Sequence, residues 1–334
     1  MFYPTEFYSE EYIKELEKKE EKKQIRKAAN LLGVAFLIMS AIMVLWSVPI
    51  GVVAGLGIVD VNKMYDVLND TTVLQALQIV ISSTAFLFTY WLYAKMMKCR
   101  VSDICAFKKP TDKSLVAPMV LLGLGVCGLS NFLTSIAGGI FQSFGFEYEL
   151  NLPENPTNPF GVILAFLAVA VTPALVEEFA MRGVVLGALR KYGDNFAIMV
   201  SAIVFGLMHG NFSQIPFAFI LGVFFGYAVI KTGSVWTVVI IHFLNNGFSL
   251  ALDYLTNGMS EMAEGTVIMV YLMVLMLLGV VGLFLLSKKG ENNFVIDNKT
   301  QHLTTGQKLT TALTAPCMII TYVVVLLEAT LVYV

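Results

Sequence analysis

The chain has 334 residues, of which 57% are hydrophobic and only 14% are charged, and its mean hydropathy is +0.74. A soluble globular domain carries about 25% charged residues, so this composition predicts a polytopic membrane protein. The formal net charge of −2 and the lack of a basic stripe with interleaved aromatic residues argue against a nucleic-acid partner. The four cysteines form no CxxC pair and no zinc-ligand spacing, and we expect them to be reduced and structural.

Two regions follow one another along the chain. Residues 1–29 mix Glu and Lys, which predicts a charged cytoplasmic helix with opposite charges three and four positions apart. Residues 30–334 are expected to form a single transmembrane domain, and the predicted fold class is all-α, a polytopic transmembrane helix bundle of eight to nine spans. The nine apolar segments are 31–57, 73–97, 115–144, 160–189, 196–209, 215–230, 235–252, 266–287 and 311–334. The fifth and sixth are shorter than the roughly 20 residues that a bilayer requires.

The charges of the loops predict the orientation. Basic residues precede the first span and follow each even-numbered span, whereas the intervening loops are acidic and contain Lys63 as their only basic residue. This alternation fits the positive-inside rule. We therefore expect an integral protein of the plasma membrane with a cytoplasmic N-terminus. The first apolar run is too long for a cleavable signal peptide, which favours an uncleaved anchor.

Three predicted spans contain polar side chains that hydrocarbon disfavours. They are Glu177, Glu178 and Arg182 in span four, His209 in span five, and His242, Asn245 and Asn246 in span seven. A charged side chain at the centre of a membrane helix costs about 2.5–3.5 kcal/mol, and such residues usually indicate function. At 1.5 Å per residue, Glu177, His209 and Asn246 lie roughly 18–21 Å from the cytoplasmic ends of their spans. Polar groups at one depth on three helices can face one another. The third histidine, His302, lies in the polar segment 288–310 and is expected to be solvated.

The spacing within each span predicts which of these side chains share a face. Glu178 and Arg182 are four positions apart, which favours an ion pair on one face of the helix. Glu177 is turned by about 100° from Glu178. His242 and Asn246 are also four positions apart, so both can face one cavity. Glu177 is therefore expected to point away from the ion pair.

Pro173 lies one turn before the two glutamates. A proline removes a backbone hydrogen bond from a helix and predicts a kink there. Such a distortion is tolerated inside a membrane only where the helix faces protein or a water-filled cavity. The proline thus favours a buried or hydrated environment for the segment that carries Glu177 and Glu178.

These residue types suit two kinds of chemistry. A buried carboxylate beside a histidine can take a proton from water and produce a nucleophile for a peptide carbonyl. His242 and Asn246 can then stabilise the oxyanion. Alternatively, Glu177, His209 and His242 supply three zinc ligands with an open fourth position, although the HExxH spacing is absent. We rank zinc behind glutamate-activated water, which requires no cofactor.

The three segments resemble the motifs of one family, the CAAX prenyl protease type II family, also called the CPBP or Abi intramembrane proteases. EEFAMRG, from Glu177 to Gly183, resembles its EExxxR motif. FGLMH, which ends at His209, and HFLNN, which runs from His242 to Asn246, resemble its FxxxH and HxxxN motifs. The resemblance covers about 160–250, the predicted catalytic core, and departs from the family at Met181, where an aromatic residue is common.

The resemblance implies a membrane-embedded endopeptidase. Glu177 would activate water together with His209, Glu178 and Arg182 would hold the site together, and His242 with Asn246 would form the oxyanion hole. The implied partners are membrane lipid and a peptide or lipidated-protein substrate. Some members of the family cleave prenylated CAAX proteins, and others are tied to bacteriocin immunity or peptide maturation.

Two other classes of function remain open at this point. Glutamates and histidines inside a membrane also form proton relays in transporters. Transporters usually contain related halves, and the sequence shows no internal repeat. The other alternative is a catalytically silent membrane scaffold or a bacteriocin-immunity protein, which would tolerate the loss of Glu177.

Overall fold

The architecture was obtained as a computed structural model, which describes residues 9–45, 67, 70–143, 155–290, 296 and 302–332. The regular elements of these residues are helical, which confirms the predicted all-α class. The main helices are α1 (Glu10–Leu45), α2 (Thr71–Met96), α3 (Val116–Ser143), α4 (Pro159–Tyr192), α5 (Asp194–Leu207), α6 (Gln214–Thr232), α7 (Trp236–Thr256), α8 (Glu261–Ser287), α9 (Thr305–Leu313) and α10 (Pro316–Val332). The acidic loops predicted around 60–66 and 147–154 lie outside the described residues.

Seven described helices are long and apolar enough to cross a membrane, and eight if one bent pair counts as a single span. That pair is α9 and α10, which meet at an angle of 65°. Helix α10 corresponds to the ninth predicted segment, 311–334, whereas most of α9 precedes that segment. Counting this pair as one span gives eight spans among the described helices, which is the lower of the two predicted numbers. The fifth predicted segment, 196–209, forms α5, an apolar helix of only 14 residues. Because α5 packs among α4, α6 and α9, its backbone needs little contact with lipid.

Helix α4 lies at the centre of the bundle. It contacts α2 on one side, α5 and α6 on another, and α7 along the segment that contains the two glutamates. Helices α3 and α8 pack closely, because small residues let their backbones approach. A methyl group at Gly279 of α8 would lie 2.6 Å from the Cα atom of Gly125 in α3.

The charged N-terminal region continues directly into the first span, since α1 runs without a break through residue 30. It is also less solvated than its composition predicts. Glu21 is buried and lies 2.9 Å from the Nζ atom of Lys308, which is itself fully buried in α9. Lys308 also donates to the carbonyl of Tyr192 at the end of α4, at 2.6 Å.

His302 is exposed, as expected, and it also contacts the N-terminal helix. Its Nδ1 atom lies 3.3 Å from Glu17 Oε2 of α1, and its side chain is 36% exposed. Its backbone N–H donates to Glu21 Oε2 at 3.0 Å, next to the N–H of Leu303 at 2.8 Å. The described part of the C-terminal region is thus attached to the N-terminal helix and to the C-terminal end of α4.

Candidate active site

The helix that carries the glutamates is irregular on both sides of them. The α-helical segment Thr172–Glu178 lies between two π-helical segments, Leu167–Val171 and Phe179–Val185. Pro173 explains the first, because it has no N–H to offer to the carbonyl four residues before it and its ring crowds that carbonyl. In the second, the Met181 carbonyl accepts from Leu186 N–H and from the hydroxyl of Ser201 in α5, at 3.0 Å. Such π segments often occur at functional sites.

Glu178 and Arg182 form the ion pair that their spacing predicts. Arg182 Nη1 lies 3.2 Å from Glu178 Oε1, and neither side chain is exposed. The guanidinium also lies over two aromatic rings, with its Cζ atom 4.1 Å from the ring centroid of Phe205 and 5.0 Å from that of Phe225. Attraction between a desolvated cation and aromatic faces contributes about 2 kcal/mol in favourable cases. The pair is therefore held by packing as well as by charge.

His242 lies between the two glutamates, a contact that spacing along single helices does not reveal. Its Nδ1 atom is 2.9 Å from Glu178 Oε1, and its Nε2 atom is 4.0 Å from Glu177 Oε2. Glu178 is a carboxylate paired with Arg182, so Nδ1 carries the proton of this hydrogen bond. Glu178 thus fixes the ring, and Nε2 faces Glu177 beyond direct hydrogen-bond distance.

His209 is oriented by the end of its own helix. Its Nδ1 atom lies 2.9 Å from the carbonyl of Phe205, one of the last carbonyls of α5. A carbonyl can only accept, so Nδ1 donates, and Nε2 of the neutral ring keeps its lone pair. The Phe205 ring contacts His209 edge to face at 5.2 Å between centroids, and contacts His242 in the same way at 6.2 Å. Phe205 therefore touches both histidines and Arg182.

A cavity of about 310 Å³ brings the candidate residues together. Its wall includes Glu177, His209, His242, Asn245, Asn246, Phe205 and Pro173. Glu178 and Arg182 do not reach the cavity and lie behind His242. The sequence did not point to two further polar side chains in the wall, Gln78 from α2 and Gln214 from α6. For Gln78, a glutamine in an apolar run was the available signal, but its low cost made it inconspicuous beside the charged residues, and Gln214 lies just before the sixth predicted segment.

The two adjacent asparagines of α7 form a short chain of hydrogen bonds. Asn246 Nδ2 donates to the carbonyl of Val169 in α4 at 3.0 Å, and Asn245 Nδ2 donates to Asn246 Oδ1 at 3.0 Å. Val169 is the residue whose carbonyl would accept from position 173 in a regular helix, where the chain has a proline. Asn246 therefore satisfies a backbone group that Pro173 leaves without its helical donor.

A catalytic zinc site requires three protein ligands that converge on one point. Among the described residues, no group of three or more His, Cys, Asp or Glu side chains is arranged to hold a metal ion. The three ligands considered for zinc are Glu177, His209 and His242. They share the cavity but are not arranged to hold one metal ion.

The fold and the cavity describe a polytopic membrane protein with a buried glutamate–histidine site, and the chain is an integral membrane protein. Residues 159–248, about a quarter of the chain, match the model of the family described as type II CAAX prenyl endopeptidase Rce1-like. This match confirms the resemblance carried by the three motifs.

Two curated proteins are similar to the chain. The membrane-embedded CAAX protease MroQ of Staphylococcus aureus (strain USA300) is 28% identical over 156 residues, which cover 43% of this chain and 60% of that protein. The putative membrane peptidase YdiL of Bacillus subtilis (strain 168) is 25% identical over 148 residues, 42% of this chain and 59% of the relative. The matches thus span about 60% of the length of these relatives. No solved structure is significantly similar to the chain.

Proposed function

We propose that this protein is an intramembrane endopeptidase in which Glu177 activates a water molecule for attack on a peptide bond. The observation that carries the proposal is the single cavity that contains Glu177, His209 and His242 from three different helices. The names of the two relatives and the matched family agree with peptidase activity. The substrate is a peptide or lipidated protein that reaches the cavity from the membrane. The protein resides in the plasma membrane, and its N-terminus lies in the cytoplasm.

Glu177 and His209 remove the proton of the attacking water. Glu177 is a carboxylate at the cavity wall, and the lone pair of His209 Nε2 follows from the hydrogen bond at Nδ1. A positioned base of this kind contributes about 10²- to 10⁴-fold to the rate. After attack, the proton is passed to the leaving amine, as the return step of general acid–base catalysis requires.

His242 and Asn246 stabilise the oxyanion. Glu177, Glu178 and Arg182 together carry a net charge of −1, from two carboxylates and one guanidinium. Protonation of His242 neutralises this cluster, and Nε2–H then faces the cavity as a donor. Preorganised donors in a site that excludes water stabilise developing charge strongly. Glu178 and Arg182 act through His242 and are positioning residues.

The test is cleavage by the purified full chain in detergent. Two internally quenched peptides that end in a CAAX sequence serve as probes, one farnesylated at its cysteine and one unmodified. Glu177→Gln and His209→Ala should each lower the rate by about 10²- to 10⁴-fold, because each removes part of the base. The matched controls are Glu261→Gln, on an exposed glutamate of α8, and His302→Gln, on the histidine far from the cavity.

The proposal fails if both site variants cleave at the wild-type rate. It also fails if neither probe is cleaved by the wild type while uptake of protons or solute into proteoliposomes depends on Glu177, because that result assigns the cavity to a transporter. A higher rate on the farnesylated probe than on the unmodified one would identify a lipidated substrate.

A further inference from the structure

We infer that Asn245 is a substrate-binding residue whose Oδ1 atom accepts a backbone N–H of the bound peptide, next to the bond that is cleaved. The inference rests on the proposed function and deepens it. The HxxxN motif matches His242 and Asn246, so it assigns no role to Asn245. The inference depends on the direction of the hydrogen bonds in the asparagine pair.

That direction is fixed from the backbone outward. The Val169 carbonyl can only accept, so Asn246 must turn its amide nitrogen toward it. Asn246 Oδ1 is then directed to Asn245 and can only accept, so Asn245 must also present its nitrogen. Reversing either side chain would place two acceptors in contact. The polarity of the pair therefore leaves Asn245 with Oδ1 as its free end.

Asn245 Oδ1 is a buried acceptor without a partner. The side chain belongs to a residue that is only 7% exposed, and no group of the described residues donates to Oδ1. Leaving such an atom unpaired costs about 1–3 kcal/mol, and native proteins contain few of them. Asn245 nevertheless lines the cavity together with Glu177 and His242. Because Asn245 lines the cavity, the missing donor to Oδ1 is best explained by one that arrives with the ligand.

A peptide backbone supplies such a donor. A peptide bound at membrane depth has lost its water, so each of its N–H groups needs an acceptor from the protein. The other polar groups of the mechanism do not serve this purpose, because Glu177 and His209 handle the proton of water and His242 is a donor to the oxyanion. A neutral carboxamide oxygen accepts an N–H without adding a further negative charge beside Glu177. Asn245 thus supplies the acceptor that the reacting peptide requires.

The experiment combines variants with backbone-modified substrates. A cleaved peptide is prepared as a series of depsipeptides, in which an ester replaces one amide at a time on either side of the scissile bond, while the scissile amide is kept. Each ester removes one N–H donor. The full chain is assayed in detergent as wild type, Asn245→Leu and Asn245→Thr, with Asn257→Leu as a matched control on an exposed asparagine.

We expect Asn245→Leu to lower kcat/KM for the all-amide peptide by roughly 3- to 10-fold, the value of one hydrogen bond. With the wild type, one depsipeptide should show the same loss of kcat/KM relative to the all-amide peptide. Asn245→Leu should not lower kcat/KM for this depsipeptide any further, because its hydrogen bond to Asn245 is already absent. The other depsipeptides should lose the full factor with the variant. The wild-type series needs no variant, so it tests the inference even if Asn245→Leu does not fold.

Two results overturn the inference but not the proposed function. In the first, the wild type cleaves every depsipeptide with the same kcat/KM as the all-amide peptide. In the second, Asn245→Leu lowers kcat/KM by the same factor on every substrate. The second result would mean that Asn245 orients water or supports the fold. If the wild type cleaves no peptide at all, the proposed function fails first. Asn257→Leu should match the wild type throughout.

Discussion

Replacing Arg182 by methionine should be strongly destabilising, because it leaves Glu178 buried without its cation. Both side chains are fully buried, and the ion pair measures 3.2 Å. Removing one partner of a buried pair costs about 3–5 kcal/mol. Glu178 keeps its contact with His242 at 2.9 Å, which lessens the penalty, so we expect a loss near the lower end, about 3 kcal/mol. Loss of the two aromatic contacts of the guanidinium adds to it.

The companion variants separate charge from shape. Arg182→Lys keeps the charge but loses the planar contact with the rings, and should cost about 1–2 kcal/mol. The double variant Glu178→Gln/Arg182→Met removes both charges and should recover most of the loss of the single variant. Stability is followed in detergent on heating, by the labelling of Cys127 with a thiol-reactive dye, because this cysteine is fully buried in the folded protein. If Arg182→Met melts with the wild type, or if the double variant is no more stable than the single one, the pair does not hold the site as described.

Three further results are expected. Lys308→Met should destabilise the chain by about 3–5 kcal/mol, since it leaves Glu21 buried without its cation, and Glu21→Gln/Lys308→Met should restore part of this loss in the same thermal assay. Gly279→Leu should separate α8 from α3, because even a methyl group at this position would lie 2.6 Å from Gly125 Cα. The variant should therefore have a lower yield and a lower melting temperature. Gly265→Leu, at a position where a Cβ atom meets nothing within 4 Å, should behave as wild type. Incubation with a chelator should leave peptide cleavage unchanged, and a loss that zinc restores would replace the water mechanism of Glu177 with a metal-dependent one.

The sequence identified the site through cost and spacing. Polar residues in apolar runs marked the three helices, and the interval of four between Glu178 and Arg182 predicted their ion pair, which the structure contains. These inferences succeed because they depend on a single helix, whose geometry is regular enough to place side chains on one face. Similar depth on three helices then led to the expectation of one cavity, and the cavity contains Glu177, His209 and His242.

Contacts between helices were beyond this kind of reasoning. The position of His242 against Glu178 depends on how α7 packs on α4, and α4 contains two π segments that change the direction of its side chains. The sequence gives a reason for the first of these segments, Pro173, but no comparable sign of the second. Likewise, Asn246 and Val169 meet through packing alone. The burial of Glu21 was missed because its partner, Lys308, lies near the other end of the chain.

The attachment of α1 and α9 to the end of α4 through Lys308 has a consequence for how the protein can be divided. The family match ends well inside the bundle, at 159–248. Yet the last turn of α4 shares Lys308 with α1, and α2 packs along the segment with the glutamates. A fragment trimmed to the matched region would therefore expose the carbonyl of Tyr192 and the apolar flank of α4 that α2 covers. A fragment that keeps these contacts must therefore include at least the chain from the charged N-terminal helix to α9.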